Sequence, residues 1–115
     1  LHCPLTDASR HMIGANELQL MKSDALLINT ARGALIDSRA LAEALDAGVI
    51  AGAGIDVLAE EPPADDEPLL SRDRPNLILT PHIAWTAKES RQRAVDQMVE
   101  NVADYLNGGR LRRVI

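Results

Sequence analysis

Four side chains in this sequence have the types for chemistry: Arg32, Asp56, Glu61 and His82. A guanidinium is a planar fork of donors that matches a carboxylate at two points. An imidazole can hold or release a proton near neutral pH. A carboxylate such as Glu61, hydrogen-bonded to that imidazole, would favour the charged ring and fix its orientation. Such a set could bind a 2-oxo acid, polarise its ketone and hand it a proton. No side chain donates hydride, so a nicotinamide cofactor would have to supply it. Asp56, at the end of a glycine-lined segment, could accept a hydrogen bond from the carboxamide of that ring. Each residue also has a plainer reading. An Arg after a strand is often a solvated or capping residue. Glu61 lies in the acidic stretch AEEPPADDEP, where carboxylates are usually solvated. Asp56 could simply tie the loop that follows it. His2 and His11 have no partners in pattern, and Cys3 reads as a packed small residue rather than a nucleophile.

The elements around these residues explain their convergence. In LINTARGALID an apolar run leads straight into Asn-Thr-Ala-Arg-Gly, which places Arg32 on a loop at the end of a buried strand. ALLIN (25–29) has no polar alternation, the pattern of a strand buried on both faces. AGAGIDV (51–57) predicts a second strand whose glycines imply close backbone approach. NLILT predicts a third, ending at Pro81-His82. Leu1 to Cys3 reads as the end of an earlier strand, stopped by Pro4.

Between the strands lie helices. ELQLMK is expected to be capped by Asn16 with Gln19 as box partner. SRALAEALDAG is expected to be capped by Asp37 or Ser38 and stopped at Gly48. A polar, proline-rich loop fills 59–75. The longest helix opens on a capping box at Thr86 and Glu89, carries an apolar stripe of Val95, Met98, Val99, Val102 and Leu106, and ends at Gly108. Trp85 reads as a cover over the core beside that helix. Alternating apolar strands and helices predict a parallel α/β sheet. Ligands of such sheets bind beyond the carboxyl ends of the strands, where Cys3-Pro4, Arg32, Asp56 and His82 all fall.

Composition narrows the class. Of 115 residues 46% are apolar, yet Phe is absent and Trp and Tyr occur once each, so the core must be aliphatic. Seventeen acidic against 12 basic residues leave a net charge of −5, which disfavours a nucleic-acid partner or a basic membrane patch. The basic run at 110–113 reads as a solvated tail. No apolar run approaches a membrane span, no metal is expected, and the lone cysteine fits a reducing compartment, so a cytoplasmic location is expected. The chain opens on LHCPL rather than Met, and an N-terminal portion is expected to be missing.

Taken in order, LHCPLTDASRHMIG, LMKSDALLINTARGALID, LAEALDAGVIAGAGIDVLAEEP and PNLILTPHIAW closely resemble the D-isomer-specific 2-hydroxyacid dehydrogenases, from Leu1 to about Asn107. The resemblance implies the second half of a Rossmann-type, parallel-sheet NAD(P)-binding domain plus a long C-terminal helix. Residues 1–85 would complete the dinucleotide-binding domain, and 86–115 would form a helix and tail returning toward a missing substrate domain. It also implies roles. The substrate-binding Arg of N-x-x-R-G is Arg32, and the acid/base His of T-P-H-I is His82. The supporting Glu, directly before the Pro of D-V-x-x-x-E-P, is Glu61, and the Asp of that motif, beside the nicotinamide, is Asp56. Cys3, Pro4, Thr30, Ala31, Ala84 and Trp85 fall where relatives border the cofactor, as do Arg32 and His82 themselves.

The departures from the family pattern carry information as well. The glycine-rich phosphate loop, and the residue that selects NAD or NADP, are not in these 115 residues and are expected before Leu1. Leu58 stands where many relatives have Phe, which implies a packing change. Glu at position 61 argues against the formate-oxidising branch. HIAW, with Trp85, resembles the glycerate dehydrogenase or hydroxypyruvate reductase branch. The implied partners are a small 2-oxo or 2-hydroxy acid and a second copy in a homodimer. The alternative is a cofactor-binding relative that recruits proteins, as corepressors of this family do.

Overall fold

The computed structural model describes residues 1–113. Val114 and Ile115, the end of the expected tail, lie outside the described residues. The chain divides into two compact units, one spanning Leu1–Ile83 and the other beginning at Ala84.

The first unit is built on three parallel strands, β1 (Leu26–Asn29), β2 (Gly52–Ile55) and β3 (Leu77–Leu79), in the order β1-β2-β3. Leu26 pairs with Gly52 and Asn29 with Ile55, and Ile55 in turn pairs with Leu79. The three strands therefore end level, on one edge. Leu1 to Cys3 form no strand, although the backbone nitrogen of Leu1 donates to the Ile28 carbonyl at 2.6 Å.

Two helices pack with the sheet. α1 is short, Ala15–Gln19. Its N-cap is Gly14, not Asn16, and the box partner is Glu17, whose Oε2 accepts from the Gly14 N–H at 3.0 Å. The capping-box spacing is kept but starts two residues earlier, because fully buried Leu18 fixes which turn faces the core. α2, Ser38–Asp46, is capped by Asp37, whose Oδ1 accepts from the Arg39 and Ala40 N–H groups. It ends at Gly48, which takes the left-handed φ of 66°. Its last turn is tied down from the 68–76 segment. The Arg74 fork holds Asp46, Arg72 pairs with the same carboxylate, and the Asn76 amide donates to the Leu45 carbonyl. Hydrogen bonds from the two guanidinium groups lower the Asp46 carboxyl to about 2.

The core is aliphatic, as the missing Phe requires. Leu18, Leu27, Ile36, Leu41, Leu45, Ile50, Ile55 and Leu69 are all buried, each worth about 1.5–3 kcal/mol of transfer free energy. It lies on one face of the sheet only. β1 alternates, with Leu27 and Asn29 buried while Leu26 and Ile28 stand exposed, and Ile78 on β3 is exposed beside them. The expectation of a strand buried on both faces is therefore corrected: α1 and α2 both belong to the one core that Leu27 faces, and Leu26, Ile28 and Ile78 on the opposite face are exposed. The close approach predicted for the β2 glycines is a neighbouring strand's entry, since a Cβ on Gly52 would stand 2.8 Å from the Asn76 carbonyl oxygen.

In the second unit, α3 spans Lys88–Leu106 with Ala87 at the N-cap position, one residue later than the Thr86 box predicts. Its stripe residues Val95, Met98, Val99, Val102 and Leu106 are exposed. The tail is not simply solvated. Arg112 bonds Glu100 and Asn101, and the Leu111 N–H bonds the Asp104 carboxylate.

Candidate active site

The level strand ends carry the polar residues. After β2 comes Asp56, which is buried, as is the polar Asn29 at the end of β1; among the described residues these are the two buried polar side chains. Its Oδ1 accepts from the Thr80 hydroxyl at 2.5 Å and from the Ile83 N–H at 2.9 Å. Its carbonyl accepts from the His82 N–H at 2.8 Å. Asp56 thus laces the end of β2 to the turn after β3, 24 to 27 residues on, rather than to the loop that directly follows it. Thr80, quoted within T-P-H-I but not singled out, is its partner; a hydroxyl two residues before the histidine at a strand end was the available signal.

His82 stands on that turn with φ 55°. A non-glycine residue there is uncommon, although His tolerates it better than most, and such strain gathers at functional sites. Its Nδ1 lies 2.7 Å from Glu61 Oε2. The other Glu61 oxygen accepts from the Leu58 N–H at 2.9 Å. Both bonds hold the Glu61 carboxyl below its ordinary value, the one to His82 contributing most. Asp56, Glu61 and His82 line a cavity of about 420 Å³ whose walls include Leu58, Pro62, Leu70 and Leu79.

Arg32 lies on a different cleft, of about 550 Å³, with Cys3, Pro4, Thr30 and Ala31. Its Nη1 donates to the Ala31 carbonyl at 2.7 Å. Cys3 is half-buried, its sulfur 3.6 Å from that of Met12, which fits the packing reading. The two clefts adjoin through Gly33. A Cβ there would fall 1.9 Å from the Leu58 carbonyl carbon, so the Arg32 loop lies directly on the backbone that leads to Glu61. Glu61, His82 and Asp56 are therefore brought together, with Arg32, Thr30, Ala31, Cys3 and Pro4 grouped one loop away. Ala84 and Trp85 belong to the second unit, where Trp85 is exposed.

The family model for the D-isomer specific 2-hydroxyacid dehydrogenase NAD binding domain matches residues 1–84. The chain belongs to the D-isomer specific 2-hydroxyacid dehydrogenase family. Among curated members of this family, the glycerate dehydrogenase of Methylorubrum extorquens is 54% identical over 108 residues, covering 94% of this chain and 34% of that protein. The hydroxypyruvate reductase of Blautia hydrogenotrophica is 41% identical, covering 94% and 33%. A D-lactate dehydrogenase from Lactobacillus jensenii, solved with NAD+, superposes with a TM-score of 0.82 at 38% identity over all of this chain and 38% of that one. The chain spans about a third of the length of the curated relatives it matches. The Rossmann-type fold read from the sequence is that of these 2-hydroxyacid dehydrogenases.

Proposed function

We propose that the protein carrying this chain is an NAD(P)-dependent dehydrogenase that interconverts a small 2-oxo acid and its D-2-hydroxy acid, of the hydroxypyruvate/glycerate or glyoxylate kind. The observation that carries the reading is the Glu61–His82 pair, joined at 2.7 Å, beside a cavity at the strand ends. The names of the similar glycerate dehydrogenase and hydroxypyruvate reductase support the substrate class.

Arg32 would take the substrate carboxylate in its fork. β1 and β3 flank β2, so the loops carrying Arg32 and His82 hang from strands roughly 10 Å apart, a span that two long side chains and a small acid can close. Glu61 orients the ring through Nδ1, and Nε2 would then deliver a proton to the ketone oxygen during reduction and recover it during oxidation. The cleft lined by His2, Cys3, Pro4, Leu5, Thr30 and Ala31 mixes apolar walls with polar groups beside Arg32, which suits a flat ring with a polar amide handle. A bound nicotinamide would supply the hydride to the ketone carbon. The reading extends to residues 1–85 as the second half of the cofactor domain, to a helix and tail that return to a substrate domain, and to a cytoplasmic homodimer. These rest on the family likeness.

In the full-length protein, Arg32→Ala is expected to raise KM for the 2-oxo acid by roughly 100-fold or more, the scale of a lost charge-assisted pair. Steady-state kinetics with hydroxypyruvate, glyoxylate and pyruvate check this. A fall in kcat alone would remove the clamp role, and no turnover of any 2-oxo acid would favour the protein-recruiting relative.

A further inference from the structure

Asn29 sits where β1 stops and the Arg32 loop begins, and it is completely buried. A primary amide taken out of water must find partners or it destabilises the fold. Asn29 finds both within three residues of itself. Its Nδ2 donates to the Arg32 carbonyl at 2.9 Å, and its Oδ1 accepts from the Ala31 N–H at 3.1 Å. Its main chain is fixed in the sheet independently, since its carbonyl accepts from the Asp56 N–H at 2.9 Å. The side chain is therefore not needed to close the β1–β2 ladder. It spans the loop instead, from a residue held by the sheet to the residue that presents the guanidinium. Only an amide offers a donor and an acceptor in that fork. An Asp would set a second acceptor against the Arg32 carbonyl, and an aliphatic residue would fill the space and hold nothing.

We propose that Asn29 is a positioning residue for Arg32. It clamps the Ala31–Arg32 backbone so that the guanidinium leaves the loop at a fixed point and angle, and the carboxylate does not have to order the loop as it binds. The proposal rests on the reading of Arg32 as the carboxylate clamp.

A double-mutant cycle in the full-length enzyme tests it, with Asn29→Ala, Arg32→Ala and the pair, read as KM and kcat for the 2-oxo acid. Asn29→Leu, which keeps the core volume, replaces Asn29→Ala if the latter does not fold. We expect Asn29→Ala to raise KM on the order of tenfold, the scale of one lost hydrogen bond, with kcat much less affected. In the Arg32→Ala background the same change should move KM by less than roughly twofold. If Arg32→Ala alone leaves KM unchanged, the clamp reading fails first. If Arg32→Ala raises KM and the two effects multiply, Asn29 acts elsewhere and the positioning role is overturned. It is likewise overturned if Asn29→Ala leaves KM unchanged, or if neither Asn29 variant folds, because the amide then serves the fold as a whole.

Discussion

Both oxygens of Glu61 are engaged, one by the His82 ring and one by the Leu58 N–H, so the carboxylate is a fixed strut and not a mobile surface acid. Its depressed carboxyl has a definite sign. The stability it contributes is fully present above the ordinary carboxylate range and is lost as pH falls through the depressed value. Replacing it with Gln keeps the shape and removes the charge. In the full-length enzyme Glu61→Gln is expected to lower kcat by roughly tenfold or more. It should also shift the acidic limb of the pH–rate profile for alcohol oxidation, because the ring loses the carboxylate bonded to its Nδ1. A profile that stays in place would show that the pair is structural. At this scale the sequence was informative through residue type. An imidazole after a strand and a carboxylate before Pro62 are legible, and the structure joins them. The roles of Thr80 and Asn29 were not, because a buried hydroxyl or amide leaves no trace in hydrophobic patterning; their places in T-P-H-I and N-x-x-R-G name the residues without naming their partners.

Between the two clefts, Gly33 is the point where the loop after β1 presses on the loop after β2. Its Cα lies against the Leu58–Ala59 backbone, with no room for a methyl group. Gly33→Ala must push two main chains apart, so it is expected to destabilise the fold by roughly 1–3 kcal/mol and to raise KM and lower kcat together in the full-length enzyme. Thermal melts alongside kinetics check this; an alanine variant with wild-type stability and kinetics would mean that the loops do not press on each other. The strands, α2 and the Asp37 cap were legible because period, cap chemistry and terminal glycine all agreed there. α1 was misplaced by two residues because Gly14 competes with Asn16 for the cap, and tertiary burial of Leu18 decides between them. The Arg74 fork on Asp46 joins positions 28 residues apart, a pairing that no local pattern encodes.

Across the whole molecule, the parallel sheet and its polar strand-end edge were legible, and the exposure of Leu26, Ile28 and Ile78 was not, because an apolar run shows that a strand suits burial without showing what covers it. The 115 residues contain no G-x-G-x-x-G turn, so this chain alone holds no glycine-rich cradle for a cofactor pyrophosphate. Given reduced nicotinamide cofactor with hydroxypyruvate or glyoxylate, it is expected to show no turnover by cofactor absorbance; steady consumption would overturn that division of labour. That exposure has a practical corollary. Leu26, Ile28 and Ile78 make a greasy plank that invites self-association of these 115 residues on their own. Threonine at 28 and 78 keeps the β-branched shape while wetting the plank. It should lift the concentration at which light scattering sets in and leave the Glu61–His82 edge untouched.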